Sequence, residues 1–318
     1  MHAILSTHYG DETSLQIGQI DAPNIGPDQL LVRVSAAGLN PVDWKTLRGD
    51  ARAFSGWRRP PHILGADFAG TVQQVGANVS AYQPGDKVFG MVPAFKGGAF
   101  AELMAVSPEN IAPMPQNLSF VEAASVPLVA LTAHQFLFQK TKIQPQHHVL
   151  INGCCGGLGH MAVLLAKASG ASVTGVCSTR NIALAKQLGC DCVIDYTQAA
   201  PIKGDIQYDG ILDTASIMTF AKARKALRPD GVFSTALPSP QNLLMAPLLN
   251  RFRKQKEHAL WVRPDPAALA HISTLLAQHN IHPHIEKAYP FTKIAKAIRH
   301  SKTGKVSGKL VLDFTVTP

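Results

Sequence analysis

A glycine-rich stretch in the middle of the chain limits the possible folds more than any other feature. Residues 151–159 (INGCCGGLG) separate an apolar segment, HHVLI, from an amphipathic one, HMAVLLAKASG, and a further apolar segment, SVTGVCS, follows. Glycines allow a tight turn and a close approach of an anion to the backbone, and a helix N-terminus supplies free N–H groups. Strand, glycine turn, helix and strand in this order predict a dinucleotide-binding unit, with an ordinary tight turn as the alternative.

Strands and helices continue to alternate beyond this turn. The predicted strands are HHVLING, SVTGVCS, CVIDY, YDGILDTA and GVFSTAL, and the predicted helices are HMAVLLAKASG, NIALAKQLG and TFAKARKALRPDG. Strands separated by such helices predict an α/β fold with a doubly wound parallel sheet. A helical segment, NLSFVEAASVPLVALTAHQFLF, precedes the sheet, with a cap at Asn117 or Ser119 and Glu122 at the capping-box spacing after Ser119.

The first part of the chain, up to about residue 115, has a different pattern. LLVRVSAAGLN, FAGTVQQVG and DKVFGMV are short runs bounded by turn residues, which predicts a small barrel or sandwich. Near the C-terminus, DPAALAHISTLLAQHN and KIAKAIRHSKTG are predicted helices, and GKLVLDF is a predicted last strand. The chain therefore combines a parallel sheet with a second, β-rich domain.

Composition narrows the class of ligand and the compartment. The 318 residues carry 30 Lys and Arg against 21 Asp and Glu, a formal charge of +9, which suits a nucleotide but equally suits weak RNA or DNA contact. The five cysteines are odd in number and two are adjacent, which predicts reduced thiols in a cytoplasmic protein. The N-terminus lacks a signal-peptide pattern, and the longest apolar run, residues 123–133, is shorter than the ~18 residues of a membrane span.

The end of the strand SVTGVCS bears on which dinucleotide binds. An NAD site usually carries Asp or Glu at this point, whereas this chain reads Cys-Ser-Thr-Arg-Asn over residues 177–181. Ser178 and Arg180 suit a 2′-phosphate, since a guanidinium forms charge-assisted hydrogen bonds with phosphate. The cofactor is therefore predicted to be NADPH rather than NADH, with a solvated Arg180 as the alternative.

Several motifs in a fixed order give the chain a family resemblance over nearly its whole length. They are GLNPVDWKTLRG (38–49), PHILGADFAGTVQQVG (61–76), PGDKVFG (84–90), GGAFAEL (97–103), ASVPLVALTA (124–133), the glycine turn, CSTRN, the Asp195-Tyr196 pair and the ending SGKLVL. With them the chain resembles the medium-chain dehydrogenase/reductase superfamily, most closely its zinc-independent quinone oxidoreductase and alkenal/enone reductase branch. The resemblance implies a GroES-like catalytic domain in residues 1–120 and 268–318, a Rossmann domain in residues 121–267, and a homodimer.

The chain departs from the zinc-dependent members of that superfamily. They carry a catalytic Cys where this chain has residues 40–43 (NPVD), and Gly-His-Glu where it has Gly65, Ala66 and Asp67. A catalytic zinc needs three protein ligands, and the first domain contains no cysteine, so no metal is predicted.

The resemblance also implies roles for individual residues. Lys45 is the expected oxyanion donor, and Asn40 and Asp43 line the cleft beside the nicotinamide; a solvated Lys45 and turn-capping by Asn40 and Asp43 are the alternatives. Asp67 is a weaker candidate, a relic paired with a nearby base. The expected cofactor residues are Thr132, Gly156, Gly157, Ser178, Arg180, Asn181, Tyr196, Leu237 and Lys305.

The predicted activity is hydride transfer from NADPH to a small-molecule quinone or α,β-unsaturated carbonyl compound. Two alternatives remain, an NADPH-binding sensor without turnover and a single-stranded RNA-binding protein of the same fold. The basic residues 251–256 (RFRKQK) are compatible with the second, but a solvated helix face or a lid over the substrate cleft is the preferred interpretation of this segment. Neither membrane nor nucleic acid is an expected partner.

Other chemistry-bearing residues have simpler interpretations. The pairs His147-His148 and His282/His284 lack a third metal ligand at useful spacing and are expected to be solvated. Small buried thiols are expected at Cys190 and Cys192. For residues 154–155 (CC) within the turn, packing and an oxidation that blocks NADPH binding are both open.

Overall fold

The computed structural model describes residues 1–50, 52, 60, 62–202, 206–236 and 240–316. The strands in these residues are β1 (His2–Ser6), β2 (Leu15–Gln19), β3 (Leu30–Leu39), β4 (Asp67–Val75), β5 (Lys87–Met91), β6 (Leu103–Val106), β7 (Ile111–Pro113), β8 (His148–Asn152), β9 (Ser172–Cys177), β10 (Cys192–Asp195), β11 (Tyr208–Asp213), β12 (Leu227–Thr235), β13 (Lys256–Ala259), β14 (Ile285–Pro290) and β15 (Lys309–Asp313). The α-helices are α1 (Pro41–Arg48), α2 (Phe120–Ala124), α3 (Pro127–His134), α4 (Gly157–Ala168), α5 (Ile182–Gln187), α6 (Phe220–Ala223), α7 (Pro240–Leu249), α8 (Pro266–Gln278) and α9 (Ile294–Lys302).

These elements form two compact units. The first unit combines Met1–Leu131 with Arg263–Pro318, and the second is the continuous segment Thr132–Val262. The chain therefore leaves the first unit once and returns to it for its last segment.

The second unit is built on a six-stranded sheet in which every pairing is parallel. Its strand order is β10-β9-β8-β11-β12-β13, so the direction of strand addition reverses between β8 and β11. The central strands are almost continuously buried, as expected for a parallel sheet covered on both faces. The order confirms the doubly wound sheet predicted from the alternation of strands and helices, and ligands of such sheets bind beyond the carboxyl ends at the reversal point.

The first unit is built on a largely antiparallel sheet. Its order is β14-β15-β3-β4-β5-β7, with β6 also paired to β3, and only the β14–β15 pairing is parallel. The ten-residue strand β3 pairs with both β4 and β6. Its pairing with β4 has two register irregularities, and such irregularities bend a strand. Phe68, Phe100 and Leu30 are fully buried in the core of this unit. The β-rich character predicted for the first part of the chain is confirmed.

Two predicted helices differ from the structure. The predicted helix TFAKARKALRPDG ends as α6 followed by a short 3₁₀ turn, Arg224–Ala226, and β12 already starts at Leu227. The pairing of Leu227 with Tyr208 precedes a register shift, so residues 228–231 form an irregular part of β12, because strand pairing outweighs the local helical preference and Pro229 cannot continue a helix.

The second difference concerns the long helical segment before the sheet. It forms α2, α3 and a π-helical turn, Gln135–Lys140, with Pro127 opening α3 because the missing N–H of proline is tolerated at a first helical position. Ser119 is the cap, since its Oγ accepts from the N–H of Glu122 at 3.3 Å. Asn117 instead donates from Nδ2 to the carbonyls of Leu276 and Ile281.

The helices of the described residues are short, and α8 has 13 residues. No helix within the described part of the chain is both long and apolar enough to cross a bilayer.

Candidate active site

The glycine turn connects β8 to α4 at the carboxyl end of the parallel sheet. Gly153 has a φ of +81°, which favours glycine, and its N–H and that of Cys154 both donate to the carbonyl of Val176. A Cβ at Gly159 would lie 2.1 Å from the carbonyl oxygen of Gly153, so α4 packs against the turn only without a side chain there. At Gly156, the residue before α4, the nearest atom to an added Cβ lies at 3.4 Å. The turn therefore presents bare backbone and a helix N-terminus, which suits a pyrophosphate.

The structure brings six of the nine predicted cofactor residues to one edge of this sheet. They follow β8, β9 and β10, which are adjacent strands: Gly156, Gly157, Ser178, Arg180, Asn181 and Tyr196. Arg180 is exposed, Ser178 is partly buried, and 56% of Tyr196 is exposed. The carboxyl ends of neighbouring parallel strands meet at a common edge, so these side chains lie where a bound dinucleotide would extend from the turn.

The other three predicted cofactor residues lie elsewhere. Thr132 is buried in α3, at the start of the second unit. Lys305 is exposed and follows α9 in the first unit. Leu237 lies outside the described residues.

The Asp195 carboxylate lies near the end of β9, and the sequence analysis gave it no role of its own. Asp195 ends β10 and pairs with Cys177 in the sheet. Its carboxylate accepts from Thr179 Oγ1 at 2.6 Å and from Thr197 Oγ1 at 2.8 Å, and the hydrogen bond from Thr179 lowers its pKa. Two threonine hydroxyls thus already bind the acid that could otherwise bind ribose hydroxyls.

A buried cluster of four polar residues lies in the first unit, and we call it the polar cluster. It consists of Asn40, Asp43, Asp67 and Lys309, each at most 3% exposed. Lys309 donates from Nζ to Asn40 Oδ1 at 2.5 Å and lies 3.6 Å from Asp67 Oδ2. Asn40 Nδ2 in turn donates to the same Asp67 oxygen at 2.8 Å, and its backbone N–H donates to Asp43 Oδ2 at 2.7 Å.

Burial sets the charge states of the polar cluster. Removal from water raises the pKa of Asp43 to about 7, and one of its oxygens, Oδ1, has no hydrogen-bond partner. Burial also raises the pKa of Asp67 and lowers that of Lys309, while the attraction between the two opposes both shifts. Asp67 additionally accepts from the N–H of Leu128 at 2.9 Å. These donors and the ammonium favour an ionised Asp67, whereas Asp43 changes its protonation near neutral pH.

Comparison with known proteins identifies the family. Residues 26–116 match the family Alcohol dehydrogenase GroES-like domain, and residues 188–312 match the family Zinc-binding dehydrogenase. The quinone-oxidoreductase homolog of Spinacia oleracea, a chloroplastic protein, is 32% identical over 325 residues, which cover 98% of each chain. The chain belongs to the medium-chain dehydrogenase/reductase superfamily, in its quinone oxidoreductase branch.

Two further relatives agree with this membership of the medium-chain superfamily. The 2-methylene-furan-3-one reductase of Solanum lycopersicum is 32% identical over 329 residues, covering 98% of this chain and 79% of the relative. The structure of the quinone oxidoreductase from Coxiella burnetii superposes with a TM-score of 0.86 at 28% identity, covering 98% of this chain and 99% of the other. The predicted GroES-like first domain and Rossmann-like sheet of this superfamily are thereby confirmed.

The polar cluster does not fit the zinc of the zinc-dependent members of the superfamily. A catalytic zinc takes Cys, His or carboxylate ligands around an open position. Here the candidate donors are an amide and two carboxyl groups, and the Lys309 ammonium already lies against Asn40 and Asp67. The Lys309 ammonium thus occupies the position that a metal ion would take, and Asn40 and Asp67 are not free to act as its ligands.

All three predicted catalytic residues, Asn40, Asp43 and Lys45, lie on or next to α1. Asn40 precedes this helix, and the hydrogen bond from its N–H to Asp43 is the capping contact offered above as an alternative. Lys45 is partly buried on the same helix, with Nζ 5.8 Å from the centre of the Trp44 ring. α1 therefore connects the buried polar cluster to a side-chain ammonium that reaches the surface.

Lys309 is the functional candidate that the sequence analysis missed. It opens the strand GKLVLDF, whose next three residues are fully or almost fully buried. The sequence did contain an indication of this role. Lys309 belongs to an otherwise apolar terminal strand, and the sequence analysis expected Asp67 to pair with a base that it did not name.

Two other side chains differ from their predicted surroundings. His148 is partly buried rather than solvated, because its Nε2 lies 2.8 Å from Thr174 Oγ1 and its ring meets Tyr208 edge-on. Cys192 is exposed rather than buried, since the strand β10 that it opens lies at the end of the sheet.

Proposed function

We propose that this chain is an NADPH-dependent reductase of quinones or α,β-unsaturated carbonyl compounds that works without a catalytic metal. The observation that carries the proposal is the buried Lys309 ammonium against Asn40 and Asp67, the positions at which a metal-dependent relative would need ligands. The names of the spinach and tomato relatives support the class of acceptor.

The cofactor side of the proposal rests on the second unit. NADPH supplies a hydride when it is bound. The N–H groups at the start of α4 hold the pyrophosphate, and the missing side chain of Gly156 lets it approach the backbone. Arg180 and Ser178 bind the 2′-phosphate, and the carboxylate of Asp195 accepts from Thr179 and Thr197 instead of from ribose hydroxyls.

The acceptor side of the proposal follows from the missing Lewis acid. A plain ketone would develop a localised alkoxide that needs strong stabilisation, whereas a conjugated enone or a quinone spreads the charge itself. Lys45 donates a hydrogen bond to the developing oxyanion, and the polar cluster fixes the start of its helix. Holding the reactants in place contributes up to about 7–11 kcal/mol in favourable cases.

A cytoplasmic homodimer is part of the proposal.

The test is NADPH oxidation, followed at the absorbance of the reduced nicotinamide. A quinone, a short enone and a simple ketone serve as acceptors, each with NADPH and with NADH, and a chelator is present during the assay. We expect turnover of the quinone or enone with NADPH and none of the ketone. Reduction of the ketone, or dependence on added zinc, would contradict the proposal.

The role of Lys45 has its own variants. Lys45→Met is expected to lower kcat about 100- to 1000-fold, since one oxyanion donor is worth about 3–4 kcal/mol, with the affinity for NADPH unchanged. Lys45→Arg should restore part of the rate because it keeps a cationic donor. Lys96→Met, at an exposed lysine of the same unit, is the matched control. Equal rates for both methionine variants would remove Lys45 from the site.

The two alternative functions make different predictions in the same assay. A sensor binds NADPH but oxidises it with none of the acceptors. The RNA-binding alternative rests on residues 251–256, where Phe252 is 85% exposed. In that segment, however, Arg253 lies over the Phe220 ring, and Lys256 Nζ donates to the carbonyls of Asn250 and Arg253, so part of its charge is engaged within the chain. Salt-dependent RNA binding that NADPH competes away would favour this alternative.

A further inference from the structure

Four of the five cysteines converge behind the glycine turn, and we call them the thiol cluster. Cys154 and Cys155 lie in the turn, Cys177 ends β9, and Cys190 follows α5. The sulfur atoms of Cys154, Cys155 and Cys177 all lie within 4.8 Å of one another. Those of Cys154 and Cys155 are 3.8 Å apart. The sulfur of Cys190 is not part of this group of three but lies beside it, since it and the sulfur of Cys154 both face the position of an added Cβ at Gly175.

A glycine in the middle of β9 makes room for this convergence. A Cβ at Gly175 would lie 2.5 Å from the sulfur of Cys190 and 2.8 Å from that of Cys154. Gly175 and Cys177 are two residues apart, so they share a face of the strand. The backbone of Gly175 is not in the left-handed region, so space for the sulfur atoms is what a side chain there would remove.

The spacing of the sulfur atoms is that of a metal–thiolate site. Zinc bonds to sulfur at about 2.3 Å in a tetrahedron, which places neighbouring sulfur atoms about 3.8 Å apart. Each cysteine of the thiol cluster is at most 8% exposed, which suits a closed, structural site. A disulfide would use two of these residues and leave the convergence of the others unexplained.

We propose that the thiol cluster is a structural site for a thiophilic divalent cation of the zinc type. Cys154, Cys155 and Cys177 are ligands at their present spacing, and the sulfur of Cys190 moves closer to them to complete the tetrahedron. Each thiol transfers its proton to solvent as its sulfur–metal bond forms, and no electron is exchanged. Four thiolates and one divalent cation leave a net charge of −2 at this buried site. The closed sulfur shell has no open position, so the ion has no part in hydride transfer.

The ion would connect the glycine turn to the ends of β9 and α5. This connection predicts that metal loading raises the thermal stability of the second unit. It also predicts that the turn keeps its shape when the cofactor is absent. The proposal stands independently of the acceptor and cofactor proposed above.

The first experiment measures metal in the purified full-length chain after expression with added zinc. We expect close to one zinc per chain by elemental analysis. Cys154→Ser and Cys177→Ser should reduce this value at least tenfold. Cys192→Ser should leave it unchanged, and this exposed cysteine two residues from Cys190 is the matched control.

A second measurement needs no variant and so holds even where a substitution prevents folding. The wild-type chain expressed with cobalt should show thiolate-to-cobalt charge-transfer bands and the visible bands of tetrahedral cobalt. X-ray absorption of the zinc form should show only sulfur neighbours, at about 2.3 Å. Zinc bound without sulfur neighbours would overturn the proposal. So would a zinc-free chain with five free thiols, or one whose mass is lower by two hydrogens and therefore contains a disulfide.

Discussion

Arg180 is the residue on which the proposed preference for NADPH over NADH depends. The 2′-phosphate that distinguishes NADPH from NADH needs cationic donors, and Asp195, the nearby acid, is already bound by Thr179 and Thr197. Hydrogen bonds to charged groups contribute about 1.5–3 kcal/mol each. Since 1.4 kcal/mol corresponds to a tenfold change, Arg180→Gln should raise the Kd for NADPH about 10- to 100-fold.

The same substitution should leave the Kd for NADH unchanged, because NADH carries no phosphate at this position. Quenching of protein fluorescence by each cofactor measures both constants. Lys186→Gln, at an exposed cation of α5, makes the same change in net charge without touching the phosphate. A loss of NADPH affinity as large in this control would mean that long-range charge, rather than Arg180, selects the cofactor.

Asp43 couples the stability of the fold to pH. Burial raises its pKa from 3.8 in the unfolded chain to about 7, so between these values the folded chain holds a proton that the unfolded chain has lost. Stability from this group is therefore fully present below about pH 4 and falls by up to about 1.4 kcal/mol per pH unit until about pH 7. The unfolding free energy of wild type minus that of Asp43→Asn should decline over this window in urea titrations.

The exposed Asp50 provides a control of opposite sign. The guanidinium of Arg48 lowers its pKa, so its contribution is present above the unfolded-state pKa and is lost as the pH falls. The difference between wild type and Asp50→Asn should therefore not decline as the pH rises from 4 to 7. A pH-independent difference for Asp43→Asn would mean that this buried carboxyl keeps an ordinary pKa.

Among the elements, the glycine turn contains glycines with two different roles, helix packing and ligand access. The sequence motif alone does not distinguish these roles. At Gly159 an added Cβ would meet the carbonyl oxygen of Gly153 at 2.1 Å, and this backbone atom cannot move away cheaply. At Gly156 the added methyl group has room within the protein, with its nearest neighbour at 3.4 Å. Gly159 is therefore needed for the packing of α4, and Gly156 is needed for the approach of the ligand.

Two alanine variants test this separation. Gly159→Ala should lower the unfolding free energy by about 1–3 kcal/mol, the usual cost of overpacking. Gly156→Ala should change it by less than about 1 kcal/mol while still weakening NADPH binding, because its methyl group points to where the pyrophosphate approaches. Urea unfolding and cofactor titration of both proteins give the comparison. Unimpaired NADPH binding by a folded Gly156→Ala protein would place the pyrophosphate elsewhere.

Elements with a local pattern were predictable from the sequence, and those set by distant partners were not. The β8–turn–α4–β9 unit follows from strand and helix periodicity and its glycines, and the cap at Ser119 follows from Glu122 three residues later. The helix predicted after Phe220 is too long, because the residues from Leu227 onward belong to β12 and pair with β11. Lys309 meets Asn40 across 269 residues of sequence, and no local pattern contains that contact.

At the scale of the whole molecule, the last strand completes the first unit. β15 pairs with β3 in antiparallel register, so Leu310 lies opposite Leu39 and Lys309 comes to the end of β3, next to Asn40. The polar cluster is thus assembled only when the two segments of the first unit have come together. Lys309 therefore depends on the tertiary fold for its buried partners, whereas the glycine turn depends mainly on its own segment.

The predicted homodimer has a definite consequence at β13, the end strand of the parallel sheet in the described residues. The backbone N–H and carbonyl of Glu257 are bonded to the side-chain amide of Asn250, which covers part of this edge. The N–H of Leu260 donates to Thr235 of β12, so by strand alternation that of Ala259 points away from the sheet. A second copy pairing at this edge would use the Ala259 N–H.

In a homodimer that pairs through β13, Ala259→Pro should give a 34.0 kDa monomer without unfolding it, because proline is tolerated on an edge strand whose N–H faces outward. Ala259→Gly retains the N–H and should remain dimeric. Light scattering after size-exclusion chromatography measures the mass, and circular dichroism checks the fold. A dimeric Ala259→Pro protein would show that the copies associate through another surface, and a monomeric wild type would refute the dimer itself. Because Asn250 already protects Glu257, pairing here must be confined to the far end of β13.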